Sequence, residues 1–385
     1  MIVRYIIFFL LIILLPVIYE EWHFGKKAKW WWRFEWWGVT FVMLVLTVWL
    51  AIEPNFAPDN LSLLYTYLLL IGLLGIPKVA FCTCSLIGLL LKPYTHHRNY
   101  GNLVGSALVG IIWFIGIWGI TKGTSEMTVR YETITFKDLP AAFDGYKIVQ
   151  FSDTHVGTYD GHHQQYLQRA IDSINAQHPD LIAFTGDLQN MRPSEIYPHV
   201  GILSTLRSRD GVYAVLGNHD YAVYTSDDEA TKKQHCLETQ ALERKMGWTL
   251  LLNEHRTIRW GKDSIIIAGM QNSGTSKRAP KLGDIKKTMA GVKTNTFAIL
   301  MQHDPSTWED SIMPKTHAQL TLSGHTHGGQ FEIFGWSPVA FQYKEWGGLY
   351  QKDGKYINVS TGLGGFVPFR FGIPGEIVVI TLKRK

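Results

Sequence analysis

Short clusters of carboxylates and imidazoles recur along the back two thirds of this 385-residue chain, each directly after a brief apolar run. Asp153 and His155 stand in SDTH after residues 146–151, and Asp187 stands in TGDLQN after residues 180–184. Asn218, His219 and Asp220 follow residues 211–216 in GNHD, His303 follows 297–301, and His325 and His327 follow 318–322 in SGHTHGGQ. Oxygen and imidazole donors without thiolates suit Mn, Fe or Zn. The set is large enough for two ions. Two ions about 3.5–4 Å apart lower the pKa of a bridging water and clamp the attacking and leaving oxygens of an in-line displacement at phosphorus. One carboxylate has to bridge them. Asp187 is the expected bridge, because it is alone at its run's end and follows Gly186, which permits close backbone approach. A single His-x-His pair would be weak, since such residues on a strand point to opposite faces. Five separate run ends carrying such residues are far harder to obtain by chance, and no catalytic Cys or nucleophile elbow accompanies them.

The elements that must position these groups follow from periodicity. Residues 128–136 alternate as a strand does, and the five apolar runs read as further short strands. Helical patterns cover 163–177, 194–207 and 227–246. Strand, polar loop and helix in repetition predict a layered α/β fold with the functional groups at the carboxyl ends of the strands.

Asp153-x-His155, Gly186-Asp187, Gly217-Asn218-His219-Asp220, a lone His303 and Gly324-His325-x-His327 resemble, in number and order, the five-block signature of the calcineurin-like metallophosphoesterase superfamily. The resemblance covers about residues 128–385. The GHTHGGQ form of the last block, the apolar N-terminus and the tail GLGGFVPFRFGIPGEIVVITL are similar to bacterial membrane-associated phosphodiesterases of the YaeI and YkuE type. The resemblance implies a four-layer αββα sandwich with two divalent or trivalent metal ions. One ion would take Asp153, His155, Asp187 and His327; the other would take Asp187, Asn218, His303 and His325. His219 would bind no metal and would stabilise or protonate the leaving group, with Asp220 orienting its imidazole. Two departures stand out. The family often has an acidic residue where this chain has Asn190, and usually has two prolines where it reads Ile373-Pro374-Gly375-Glu376. Neither position is an implied ligand, so the departures bear on substrate contact.

The front third has a different composition. Of 37 Lys/Arg and 32 Asp/Glu in the chain, only 13 charges fall in residues 1–121, together with nine of the 14 Trp. The chain therefore divides into a transmembrane anchor, 1–121, and a metallophosphoesterase domain, 122–385. Four spans are expected at 2–19, 38–52, 61–91 and 103–120, near the ~20 residues that cross a bilayer. The first is read as a retained helix, since Glu20-Glu21-Trp22-His23 contains no small-residue cleavage site. Residues 22–37, with six Trp and four basic residues, read as a headgroup-level aromatic belt. Pro77-Lys78 interrupts 61–91, which is either one kinked helix or two short ones. With four spans, the basic segments 22–37 and 92–102 share one side and the acidic loop 53–60 lies opposite. The positive-inside rule then puts the basic segments in the cytoplasm and the catalytic domain outside the bacterial inner membrane. Lys78 is the only charge deep in a span, which argues against a transporter.

A net charge of +5, dispersed along the chain, argues against nucleic-acid binding. Cys82 and Cys84 in an apolar run and a solitary Cys236 offer no disulfide framework. His162 and His163 read as a solvated helix start, and Gly362-x-Gly364-Gly365 as a loop near the metals rather than a dinucleotide fingerprint. Arg370 is read either as a phosphate ligand or as a surface ion pair. Trp308, Trp336 and Trp346 read as core or lip aromatics, and residues 331–350 either as a lipid-facing rim or as buried strands with a hairpin. The function expected is a membrane-anchored phosphodiesterase acting on a lipid or cell-envelope substrate, with membrane lipids as partners. The alternatives are a UDP-2,3-diacylglucosamine pyrophosphatase-like hydrolase of lipid A synthesis and a non-catalytic membrane scaffold.

Overall fold

A computed structural model describes residues 2–26, 28–53, 61–276 and 279–385; most of the expected acidic loop, including Asp59, lies outside the described residues. Contacts divide the chain into two units, Met1–Ile120 and Thr121–Lys385.

In the first unit, α1 is Ile2–Phe24 and α2 is Trp30–Ile52. Leu61–Leu70, a π-helical turn at Ile71–Gly75 and Ile76–Leu91 run on as one helix, α3, and α4 is Gly101–Thr121. Among the described residues, four stretches are long and apolar enough to cross a membrane: Ile6–Phe24, Trp30–Ile52, Leu61–Tyr94 and Gly101–Ser125. The 61–91 alternative thus resolves as one helix, for a local reason. Pro77 cannot bond the carbonyl of Leu73, and that carbonyl instead accepts the indole N–H of Trp113 at 2.7 Å. The belt is not a separate segment. Its first residues end α1 and its last eight open α2, with Trp30 and Phe34 exposed. Lys78 is not alone either, since its Nζ lies 3.2 Å from Glu20 Oε2 at the end of α1.

The second unit holds two six-stranded mixed sheets. The first is ordered β1 (Met127–Phe136), β12 (Gly375–Arg384), β2 (Lys147–Phe151), β3 (Leu181–Phe184), β4 (Val212–Ala214), β5 (Thr249–Leu250). The second runs β10 (Gly348–Lys352), β11 (Lys355–Val359), β9 (Leu320–Ser323), β8 (Ala298–Met301), β7 (Asp263–Gly269), β6 (Glu254–Trp260). Strands β2 to β5 are parallel, as are β7, β8, β9 and β11. Burial on both faces explains why their sequences read as continuous apolar runs.

Apolar side chains from the two inner faces, among them Ile148, Leu181, Val378, Ile267, Ile299 and Leu322, fill one core between the sheets. Helices α5 (Gln164–Ala176) and α6 (Glu229–Lys245) cover the outer face of the first sheet through Leu167, Ile171, Ile174 and Leu242. Trp308, Ile312 and their neighbours cover the second sheet, completing the αββα layering. A polar line crosses the sheet interface. Arg130 Nη2 donates to Asn358 Oδ1, Asn358 Nδ2 to Gln150 Oε1, and Gln150 Nε2 to the Ser323 carbonyl. Because each member is paired, the buried line fixes how the sheets sit without leaving orphaned polar groups. The expected helix over 194–207 is not continuous. Two 3-10 turns, Pro193–Glu195 and Tyr197–His199, lead into the single turn Val200–Leu203, because Pro198 removes an amide donor.

Candidate metal centre

Every candidate ligand sits within a few residues of a strand's carboxyl end. Asp153 and His155 follow β2, Asp187 follows β3, and Asn218 and His219 follow β4. His303 follows β8, and His325 and His327 follow β9, so both sheets feed one site. The loops take an abrupt path. Asp153, His155, Asp187, His325 and His327 all have positive φ, between 47° and 76°. Side-chain-bearing residues avoid this left-handed region, at a cost on the order of 1 kcal/mol or more each, and such outliers cluster where function over-determines them. Close approach is also built in. A Cβ on Gly217 would lie 2.1 Å from Asp187 Oδ1, so only glycine lets these two loops meet.

The donor atoms form two groups that share one residue: Asp153, His155, Asp187 and His327, and Asp187, His303 and His325. Asn218 joins the second, its Oδ1 3.1 Å from His303 Nε2. Asp187 Oδ2 lies 3.1 Å from His303 Nε2 and 3.8 Å from His155 Nε2, while its Oδ1 accepts the His219 amide at 2.8 Å. All of these ligands are buried except His325 and His327, which are nearly so.

The outward nitrogens decide whether cations fit. His155 Nδ1–H donates to Asn190 Oδ1 at 2.9 Å, His303 Nδ1–H to the Thr185 carbonyl at 2.8 Å and His327 Nδ1–H to the Gly364 carbonyl at 3.3 Å. Such partners fix the tautomer and turn the remaining lone pair inward. His155 and His327 thereby face each other at 3.3 Å, Nε2 to Nε2. Neither holds a proton there: burial, then the neighbouring imidazoles, lower His155 to about 3 and His327 well below its ordinary value. Two facing lone pairs beside carboxylates call for a cation. In the other half, burial alone would lower His303, but its pairing with Asp187 raises it to about 10. That proton occupies the place a metal ion would take, and metal binding would release it. The donors fit two hard or borderline cations, with no thiolate among them.

His219 is half-buried, and its Nδ1–H donates to the Asn190 carbonyl. This corrects the expectation for Asp220. Its carboxylate is spent on backbone amides, accepting from Gly217 at 2.8 Å and from Asp187 and Leu188 at 2.9 Å each. It ties the β3 and β4 loops together and does not orient the imidazole. Burial, then the Asp187 charge, push it up to about 7. Asn190, flagged in the sequence for substrate contact, is fully buried and holds both His155 and His219.

Arg370 is neither a phosphate ligand nor a surface ion pair. It is buried, and its guanidinium donates to the carbonyls of Thr361, Gly362, Gly364, Ile373 and Pro374, bracing the glycine loop against the site. Glu376 accepts from Arg130 Nε and the Thr361 amide, so the altered tail motif also serves this loop. Trp308 is core, whereas Trp336 is half exposed. Residues 331–347 are a loop rather than buried strands; Phe334 and Phe341 project into solvent, and regular pairing resumes only at Gly348. The His162 side chain lies outside the described residues, and His163 stacks on Tyr166 at the start of α5.

Residues 146–329 match the family described as "Calcineurin-like phosphoesterase", and residues 3–124 match "Probable Calcineurin-like phosphoesterase, transmembrane domain". A Bacillus subtilis (strain 168) protein named "Uncharacterized metallophosphoesterase YkuE" is 33% identical over 307 residues, 76% of this chain and 99% of that one. A Danio rerio "Transmembrane protein with metallophosphoesterase domain" is 29% identical over 279 residues, 70% of this chain and 60% of the relative. An Aquifex aeolicus (strain VF5) "Uncharacterized metallophosphoesterase" is 28% identical over 267 residues, 68% of this chain and 94% of that one.

Proposed function

The chain belongs to the calcineurin-like phosphoesterases, and from that premise we propose that it is a membrane-anchored, dinuclear-metal phosphodiesterase whose substrate is an amphiphilic phosphodiester. The observation that carries this reading is the pair of ligand groups meeting at Asp187. Asp153, His155, Asp187 and His327 would hold one ion, and Asp187, Asn218, His303 and His325 the other, as Mn, Fe or Zn. When bound, such a pair supplies Lewis acidity to the phosphoryl oxygens and a water nucleophile at neutral pH. The protein's own part is positioning and proton transfer. With Nδ1–H committed to the Asn190 carbonyl, Nε2 is the nitrogen His219 turns to the departing alkoxide, to which its imidazolium form would give the Nε2 proton and be left neutral. Asp187 Oδ1 holds the His219 backbone, so the bridge and the acid are set by one carboxylate.

Four apolar helices and the exposed Phe334, Trp336 and Phe341 favour a lipid or envelope diester over a soluble metabolite. The positive-inside pattern favours the outer face of a bacterial inner membrane for the catalytic unit. The test is hydrolysis of bis-p-nitrophenyl phosphate, p-nitrophenyl phosphate and a lipid panel by purified full-length protein loaded with Mn, Fe or Zn. Preference for diesters over monoesters is expected; a monoester-only enzyme would refute the reading. A reporter fused after Lys385 that is active only in the cytoplasm would overturn the proposed side and favour the pyrophosphatase alternative.

A further inference from the structure

Three of the four candidate imidazole ligands are oriented through Nδ1, by Asn190, Thr185 or Gly364. His325 is reversed. Its Nδ1 lies 3.2 Å from His303 Nε2, among the donor atoms, and its Nε2 points outward, 2.8 Å from Tyr343 Oη. The carboxylate of Asp304 lies on the same side, with Oδ2 at 3.6 Å from Nε2. That Oδ2 is buried and has no hydrogen-bond partner, while Oδ1 accepts the Ser306 amide. With Tyr343 Oη and the unpaired Asp304 Oδ2 both on the Nε2 side and only donor atoms on the Nδ1 side, the proton of His325 is favoured on Nε2, where it donates to Tyr343 Oη, and the Nδ1 lone pair is left for a cation. Tyr343 is buried, and it lies in the loop whose outer residues are Phe334, Trp336 and Phe341.

A second tyrosine acts on the same half. Asn218 Nδ2 donates to Tyr224 Oη at 2.8 Å, which turns Oδ1 of the amide toward His303. The half-site of Asp153, His155 and His327 has no tyrosine in these roles among the described residues; its imidazoles are held by Asn190 and the Gly364 carbonyl.

We propose that Tyr343 is a positioning residue that, with Asp304, fixes the tautomer of His325 and so sets the affinity of the second half-site for its ion. This half-site is then the later of the two to fill. This rests on the dinuclear reading above, and the experiment separates the two.

The probe is Mn(II), titrated into full-length protein in detergent and followed by electron paramagnetic resonance. The wild type is expected to pass from a mononuclear six-line spectrum to an exchange-coupled spectrum at two equivalents. Tyr343→Phe, which keeps the ring and removes the hydroxyl, should bind the first equivalent as the wild type does and need roughly tenfold to a hundredfold more Mn(II) to reach the coupled spectrum. Asp304→Leu should shift the second equivalent in the same direction and serves if the Phe variant folds poorly. Phe341→Ser, at an exposed position of the same loop, should leave both equivalents unchanged. A coupled spectrum at wild-type Mn(II) concentration in both Tyr343→Phe and Asp304→Leu would overturn the proposal. A wild type that never binds a second equivalent would instead overturn the dinuclear reading.

Discussion

Nε2 of His155 and Nε2 of His327 face each other across 3.3 Å, each ring's other nitrogen donating away from the site. Neutral rings in that arrangement repel, and the buried carboxylates of Asp153 and Asp187 complete a cage that only a positive charge relieves. The pairing follows from loop geometry, since both residues are held at positive φ, 47° and 52°.

The Asn190 side chain should therefore control the first ion. Asn190→Ala removes the acceptor for His155 Nδ1–H and is expected to weaken the tighter-bound metal by roughly tenfold to a hundredfold. Asn190→Asp keeps an acceptor and should retain binding. Competition with a chromophoric chelator measures both; equal affinity for Asn190→Ala and wild type would contradict the role.

His219→Ala should leave the metal content at the wild-type value and lower kcat by roughly 10² to 10⁴ on diesters with alkyl leaving groups. The loss should be much smaller with p-nitrophenyl esters, because p-nitrophenolate departs without a proton. A similar loss on both substrate types would show that His219 acts otherwise than as the acid.

How far the sequence reveals this site depends on distance along the chain. Asp153, Asp187, His303 and His325 each lie within three residues of a strand, so alternation of apolar run and polar cluster exposes them. The second layer is hidden from such reasoning. Asn190 meets His155 between neighbouring strand-end loops of the first sheet and Tyr343 meets His325 from a later loop of the second, pairings that periodicity does not announce; Asn190 stands out in the sequence only as a departure from the usual acidic residue, with no partner indicated. Asp220 misled because adjacency to His219 suggested contact, whereas its carboxylate turns toward the backbone of the neighbouring loop. The 194–207 segment has a helical apolar pattern, but Pro198 breaks it into turns.

Glu243, on α6, gives a pH dependence of stability. Its carboxyl is fully buried, neither oxygen has a hydrogen-bond partner, and burial followed by the Asp220 charge holds it well above the usual carboxylate range. The folded state thus keeps a proton that the unfolded chain releases near its ordinary value. Stability is full below about pH 4.3 and falls as pH rises through the folded value, by up to about 1.4 kcal/mol per pH unit for this one proton. Glu243→Gln should flatten that slope between pH 5 and 8 in denaturant unfolding of the metal-free protein. An unchanged slope would show that another group is responsible.

The sharing of Asp187 between two ions is the centre of the account, and Asp187→Asn tests it most directly. Metal content and bis-p-nitrophenyl phosphate turnover of the purified full-length variant should be measured beside the wild type. We predict about two metal equivalents and turnover for the wild type, with reduced metal content and no turnover for the variant. A variant that keeps both ions and hydrolyses the diester at the wild-type rate would contradict the account.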